Sequence, residues 1–345
     1  MKVLILSPRF YSFYSCLELG FKENGAEVFH YDYRQNVKTY QEKIHSHINK
    51  TPYKFRKLWY DKFVGSINNA LLEKFKEVNP DLVLIYNNEM LLPETLRVIK
   101  NTAKVFFFLG DSPFYTPTND HFLADLFYAD AIFCPDSFWV EQFEMIGLKT
   151  AHFFLLGINP LMNFVTDVSA SDREKWAADL LFVGNEKATT WGYKRALFLN
   201  QFCDLDIKIY TSPPFARRLA EFPGLKGKTS YRGKRISHEQ LNTMLNCCKL
   251  YPVDANPGLI NGIHARVFEC IASGILPLVE YRKDLDTAFG GVDLPVITSY
   301  SSAKGVAEMY LDDDQLRSRV MDELRQFANE RYHPAVTIKQ MLEHY

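Results

Sequence analysis

Apolar residues along this chain fall into two series of short continuous runs separated by amphipathic stretches. The first run, Val3 to Leu6, ends at Ser7-Pro8 and leads into a helical pattern from Phe13 to Asn24 that Gly25 closes. Val28 to Tyr33, Leu82 to Tyr86 after the turn signal Asn79-Pro80-Asp81, Val105 to Leu109 and Ala131 to Cys134 read as further strands, with helices over Phe63 to Val78 and Ser137 to Ile146. Runs without polar alternation are the mark of strands buried on both faces, and their alternation with helices predicts a parallel, doubly wound sheet. After a polar, irregular stretch from Asn159 to Trp176 a second series begins: Leu180 to Val183, Ile207 to Tyr210, a short strand near Tyr231, Lys249 to Val253, Ile275 to Glu280 and Val296 to Thr298. Asp312 to Tyr345 reads as helices broken at Pro334, with Asp312-Asp313-Asp314 as a helix cap.

The expected fold class is therefore α/β, two Rossmann-like doubly wound domains facing across a cleft. Residues 1–160 would form the first and residues 161–325 the second, with residues 326–345 packing back on the first. In open α/β sheets the ligand lies beyond the carboxyl ends of the strands. A length of 345 residues fits two cores. Lys and Arg total 40 against 41 Asp and Glu, so any acidic partner must use a local patch rather than the global field. The six cysteines show no metal-ligand spacing, and no run approaches the roughly 20 apolar residues that span a bilayer. With an opening run too short for a signal peptide, these features predict a cytoplasmic protein without integral membrane contact.

Candidate chemistry concentrates between Asn261 and Val279. A loop carrying Gly262 enters a helix, Gly274 ends it and a buried strand follows. A helix N-terminus offers unpaired N–H groups and a positive dipole end, which makes the loop a candidate diphosphate cradle. Val267, Phe268, Ile271 and Ala272 would face the core. Arg266 and Glu269, three residues apart, would share the other face, one for phosphate and one for ribose hydroxyls; a plain surface ion pair is the competing reading.

The string from His264 to Val279, HARVFECIASGILPLV, resembles the signature of the spore-maturation CgeB-like glycosyltransferases, a GT-B group related to glycosyltransferase family 4. Asp179 to Asn185 followed by Arg195, Tyr231-Arg232-Gly233 followed by Ser237 to Cys248, and Gly110-Asp111-Ser112-Pro113-Phe114 resemble further pieces of that pattern, in the same order. The resemblance implies a transferase that moves a sugar from a nucleotide donor to a hydroxyl. In it Gly184 and Asn185 would approach the diphosphate through backbone, Arg195 (or Lys194), Arg266 and His264 would meet its charge, and Glu269 would hold the ribose. Arg232 and Gly233 fall on the nucleobase side, with UDP-sugar as the default donor. The family 4 pattern has a glutamate eight positions before the second one, where this chain has Asn261, so the first glutamate's role does not transfer. Arginines and a helix terminus can meet the charge of a departing diphosphate without a metal ion, and the expectation is a metal-independent enzyme with no cofactor.

In the first domain Asp111, just past Val105 to Leu109, is the candidate base or acceptor-positioning group, with Glu89 after Leu82 to Tyr86 as the second; a turn cap is the alternative for Asp111. Residues 34–63 carry eight basic residues against Glu42 and Asp61, interleaved with Tyr40, Tyr53, Phe55, Trp59 and Tyr60. Such a stretch is either a solvated helical face with aromatics turned inward or a grip for an acidic acceptor, nucleic acid or lipid phosphate. The alternatives to a general glycosyltransferase are a DNA-modifying one that uses this patch, a nucleotide-sugar 2-epimerase and a non-catalytic nucleotide-sugar-binding subunit.

Overall fold

The structure, a computed structural model, describes the whole chain except residues 9–11, 33–34, 36, 49, 88–89, 113, 115–121, 186–188, 232–235 and 257, and the side chains of Ser12, Glu42, Ser46, Tyr53, Asp61 and Tyr231. The chain forms two compact units, Met1–Leu156 with Pro334–Tyr345, and Gly157–His333.

The first unit runs β1 (Lys2–Leu6), α1 (Ser12–Glu23), β2 (Glu27–Tyr31), α2 (Thr39–Ile48), α3 (Tyr53–Trp59), a π-helical turn (Tyr60–Val64), α4 (Gly65–Val78), β3 (Leu82–Tyr86), α5 (Pro93–Lys100), β4 (Lys104–Phe108), α6 (Phe122–Leu126), β5 (Ala131–Cys134), α7 (Ser137–Met145) and β6 (Ala151–Phe153). The strands form one sheet in the order β2-β1-β3-β4-β5-β6, with every pair parallel. β1, β3 and β5 have almost no residue exposed, as their unbroken apolar runs require. β6 carries no such run, because the edge strand Ala151-His152-Phe153 is only three residues long.

The second unit runs α8 (Ala170–Trp176), β7 (Ala178–Val183), α9 (Thr190–Asn200), β8 (Ile207–Thr211), α10 (Pro213–Leu219), β9 (Thr229–Tyr231), α11 (His238–Leu245), β10 (Cys248–Val253), α12 (Arg266–Ser273), β11 (Leu276–Glu280), α13 (Asp284–Ala288), β12 (Val296–Ile297), α14 (Ala303–Asp312) and α15 (Asp314–Tyr332). Its sheet has the order β12-β11-β10-β7-β8-β9, again parallel throughout. The stretch expected to be irregular before β7 contains α8, which starts at Ser169, whose hydroxyl accepts from the Asp172 N–H. Asp313 caps α15 by accepting from the Leu316 N–H.

α15 belongs to the second unit up to Tyr332, so the returning segment begins at Pro334 rather than near residue 326. The reason is aromatic packing: Phe327 and Tyr332 cluster with Phe268 of α12 and Phe289, at centroid separations of 4.9 to 6.0 Å. The last helix, α16 (Pro334–Leu342), belongs to the first unit, where Ile338 and Met341 join the core of β1, α1 and β3. A side chain at Gly20 of α1 would collide with Ile338, so glycine there permits the close approach of the two helices. Among the described residues no helix is long and apolar enough to cross a membrane.

Candidate functional site

β7 and β10 are neighbours at the centre of the second sheet, and their carboxyl ends open onto a cavity of about 300 Å³. Gly184 and Asn185 after β7, Asp254 after β10, Arg195 of α9, and His264 and Arg266 at the start of α12 line it. The strand ends are tied together by Tyr251 of β10, whose hydroxyl donates to the Val183 carbonyl at 2.9 Å and accepts from the Val183 N–H at 3.0 Å. Burial raises that phenol to about 12, so it remains a donor. A side chain at Gly184 would strike the Phe182 ring, so glycine permits the close approach of that ring at the cavity wall.

The charges at this cavity come as pairs. Arg195 donates from Nε to Asp254 Oδ2 at 2.7 Å and from Nη1 to the Asn185 carbonyl at 2.7 Å, and both side chains of the ion pair are buried. Burial lifts the Asp254 carboxyl above its ordinary range, against the pull of Arg195. Arg195 thus holds the loop after β7 and has its charge matched. Lys194, its neighbour, turns elsewhere: its ammonium donates to both oxygens of Glu280 at 2.5 and 2.7 Å, and Glu280 also accepts from the Ala255 N–H at 3.1 Å. Lys194 does not line the cavity. Arg266 and Glu269 form an ion pair along α12, with the Arg266 guanidinium 5.6 Å from the centre of the Tyr251 ring.

His264 is fixed in one tautomer. Its Nδ1 accepts from the Arg266 N–H at 3.0 Å, which leaves the proton on Nε2. Burial, aided by the charges of Arg266 and Arg195, pushes its pKa down to about 3, so the ring is a neutral N–H donor at physiological pH. His264 is thus prepared to meet a diphosphate through a neutral hydrogen bond rather than through charge. The helix start also differs from expectation. The N–H groups of Arg266, Val267, Phe268 and Glu269 all have acceptors, in His264 Nδ1, the His264 carbonyl and the Ala265 carbonyl. The first turn of α12 contributes its dipole and side chains but no free amides there. Val267, Phe268 and Ile271 face the core as expected, joined by Cys270, whereas Ala272 is only partly buried.

Gly262 lines a narrow crevice beside the cavity together with His264. The Asn261 carbonyl accepts from the Asp284 N–H at 3.1 Å, which anchors the loop to α13. Glu269 does not line the cavity. Arg232 and Gly233 lie outside the described residues, as does Glu89. Asp254 just after β10, Glu280 at the end of β11 and Tyr251 within β10 are residues beside the cavity that the sequence reading missed; for the two acids, a charge at the end of an apolar run was the available signal.

In the first unit Asp111 follows β4 and is held from the adjacent strand end. Asn87, just past β3, donates from Nδ2 to Asp111 Oδ2 at 2.7 Å, and its Oδ1 accepts from the N–H groups of Gly110 and Asp111 at 2.9 and 3.3 Å. Asn87 adopts φ 36°, a left-handed conformation that asparagine tolerates better than most residues. A side chain at Gly110 would collide with the Tyr86 hydroxyl. Part of Asp111 is open to solvent, yet the protein around it strips hydration and raises its pKa, as suits a proton acceptor.

Residues 194–343 match a family model described as Glycosyl transferase-like. Over its full length the chain is similar to solved structures of sugar-handling enzymes. It shares 12% identity with Anabaena HepE in complex with UDP and glucose, covering 99% of this chain and 98% of that one with a TM-score of 0.62. It shares 11% with the trehalose-6-phosphate synthase OtsA, covering 100% and 99% with a TM-score of 0.69. The fold is GT-B. Sucrose-phosphate synthase from Thermosynechococcus elongatus is a third structure of this shape, 10% identical over 99% of this chain and 98% of that chain, TM-score 0.65. No curated protein sequence matches. The family match begins at Lys194 and takes in β10, α12 and β11, so the paired charges of the second sheet lie within the matched residues.

Proposed function

We propose that this protein is a metal-independent glycosyltransferase of the CgeB-like kind, moving a hexose or pentose from a nucleoside diphosphate to a hydroxyl. The observation that carries the reading is the cavity at the carboxyl ends of β7 and β10, ringed by Arg195, His264 and Arg266 within the glycosyl transferase-like part of the chain. Its position beyond the strand ends is where α/β sheets bind nucleotides. The solved relative that carries UDP and glucose makes UDP the first donor base to test.

In the proposed reaction the bond between the anomeric carbon and the diphosphate breaks, and the diphosphate leaves with the electron pair. Arg266 turns from Glu269 to the departing phosphate, while the Nε2–H of His264 donates a neutral hydrogen bond to it. Glu269, which the ion pair holds outside the cavity lining, is released by that turn, swings toward the cavity and accepts from the ribose hydroxyls. Arg195 acts through Asn185, whose carbonyl it holds, by fixing the loop that the diphosphate approaches. A new bond forms from the acceptor oxygen to the anomeric carbon, and the acceptor proton passes to Asp111, whose carboxylate Asn87 aligns.

The test is a thermal-shift screen of the purified chain against UDP, GDP, dTDP and CDP and their sugar conjugates, with and without EDTA. A ligand bound only by the native state raises the midpoint by mass action. A selective shift that survives EDTA is the expected result, followed by release of that nucleoside diphosphate from its sugar conjugate. No shift with any of them would remove the transferase reading, and a shift abolished by EDTA would remove metal independence.

A further inference from the structure

The stretch with the basic surplus folds into α2, α3 and the π-helical turn of the first unit, and its apolar side chains divide between two faces. Inward, Trp59 stacks on Phe63 at 4.7 Å and donates from Nε1 to His45 Nδ1 at 3.1 Å, next to a small core of Phe63, Val64, Ile67 and Met90. Outward, Tyr40 and Ile44 of α2 and Phe55 and Leu58 of α3 are 56%, 39%, 65% and 68% exposed. Each pair is spaced three or four residues apart, so it forms one strip on its helix. Core packing does not explain them: α3 turns the half-buried Trp59 toward the small core and still presents Phe55 and Leu58 to water.

The charges around these strips are mostly basic, with Glu42 on α2 and Asp61 on the π turn as the acids. Lys43 lies on α2, Lys50 just beyond it, Lys54 and Lys57 on α3 and Lys62 on the π turn; all are exposed, and none makes an ion pair among the described residues. An exposed apolar strip flanked by exposed lysines is the pattern of a helix that lies in a lipid interface, apolar side chains among the acyl chains and ammonium groups at the phosphates.

We propose that α2 and α3 dock this protein on the surface of an anionic lipid bilayer, through Tyr40, Ile44, Phe55 and Leu58 and the surrounding lysines. Nucleic acid is the weaker fit to the same charge. Bases are gripped by stacking on aromatic planes, and half of the outward strip is the aliphatic pair Ile44 and Leu58, which gain from acyl chains and offer no stacking plane. The contact is peripheral and independent of the cavity in the second unit, so it stands or falls apart from the transferase reading.

The test is co-sedimentation of the full chain with vesicles of phosphatidylcholine alone and of phosphatidylcholine mixed with phosphatidylglycerol. Binding to the mixed vesicles alone, weakened by salt, is expected. A lysine near an anionic surface contributes roughly fivefold in binding, so Lys54→Glu with Lys57→Glu should lower it by more than about 25-fold. Phe55→Ser with Leu58→Ser should lower it at least about tenfold, since exposed side chains of this size lose their burial in lipid. Both pairs are on the surface, so the unfolding midpoint and the nucleotide shift should stay as in the parent. Equal binding to neutral vesicles, no binding to mixed ones, or parent-like binding by both variants would overturn the proposal. So would retention of a single-stranded oligonucleotide that anionic vesicles fail to displace, which would assign the face to nucleic acid.

Discussion

At the carboxyl end of β4 in the first unit, Asp111 is held by a neutral amide, Asn87; at the carboxyl end of β10 in the second, Asp254 is held by a guanidinium, Arg195. Both units carry a six-stranded parallel sheet, and both place a carboxylate just past a central strand. Burial raises the pKa of both carboxyls, but the neutral clamp leaves Asp111 its accepting capacity in hand. The charged clamp spends Asp254 on an ion pair, as Glu280 is spent on Lys194. The same topological position is thus set up for proton transfer in one unit and for rigidity in the other, and the partner residue makes the difference.

The sharpest way to break this comparison is Asp111→Asn, which keeps shape and hydrogen bonding but removes the proton acceptor. Turnover, read as release of the nucleoside diphosphate identified by thermal shift, should fall by about 10²–10⁴ while nucleotide binding is unchanged. Parent-like turnover would strip Asp111 of its role. Next, Asp254→Ala leaves Arg195 buried without its partner and should cost about 3–5 kcal/mol of stability in urea unfolding. A loss under 1 kcal/mol would mean that the pair behaves as a surface one and that the contrast between the units is false.

A smaller effect is expected for Arg266→Ala and Glu269→Ala. Each removes one charge-assisted contact to the donor, about 1.5–3 kcal/mol or roughly ten- to a hundredfold in nucleotide affinity. Unfolding without a change in affinity would reduce the pair to a helix staple. The smallest effect concerns pH. His264 has its pKa pushed down to about 3 in the folded chain, so it is uncharged from neutrality down to mildly acidic conditions. Nucleotide affinity should then show no inflection near pH 6.5 that His264→Gln removes. The sign for stability is the opposite of a paired histidine: the unfolded chain takes up the proton first, so this residue's contribution is present above about 6.5 and declines as pH falls toward 3.

Much of the fold was legible in the order of residues. Among the described residues eleven strands were marked in the sequence, the central ones by unbroken apolar runs because burial on both faces leaves no room for polar alternation, and the three-residue β6 was not. The break at Pro334 was visible because proline cannot continue a helix, although the assignment of α15 to the second unit depended on Phe268 and Phe289 meeting Phe327 and Tyr332. The candidate site was legible in part: Gly184, Asn185, Arg195, His264 and Arg266 come together around one cavity.

What the sequence determined by itself was where chain elements start, stop and hide their apolar faces, since periodicity, caps and breakers act over a few neighbouring residues. Only the tertiary structure decided how each charge is spent. Lys194 and Arg195 are adjacent on α9 and equivalent by composition, yet one meets Glu280 and the other Asp254, acids contributed by different strands. The same holds for His264, a residue with an ordinary pKa near 6.5 until burial and two arginines make it a neutral donor. Ionisation and pairing depend on distances across the fold that no local pattern encodes.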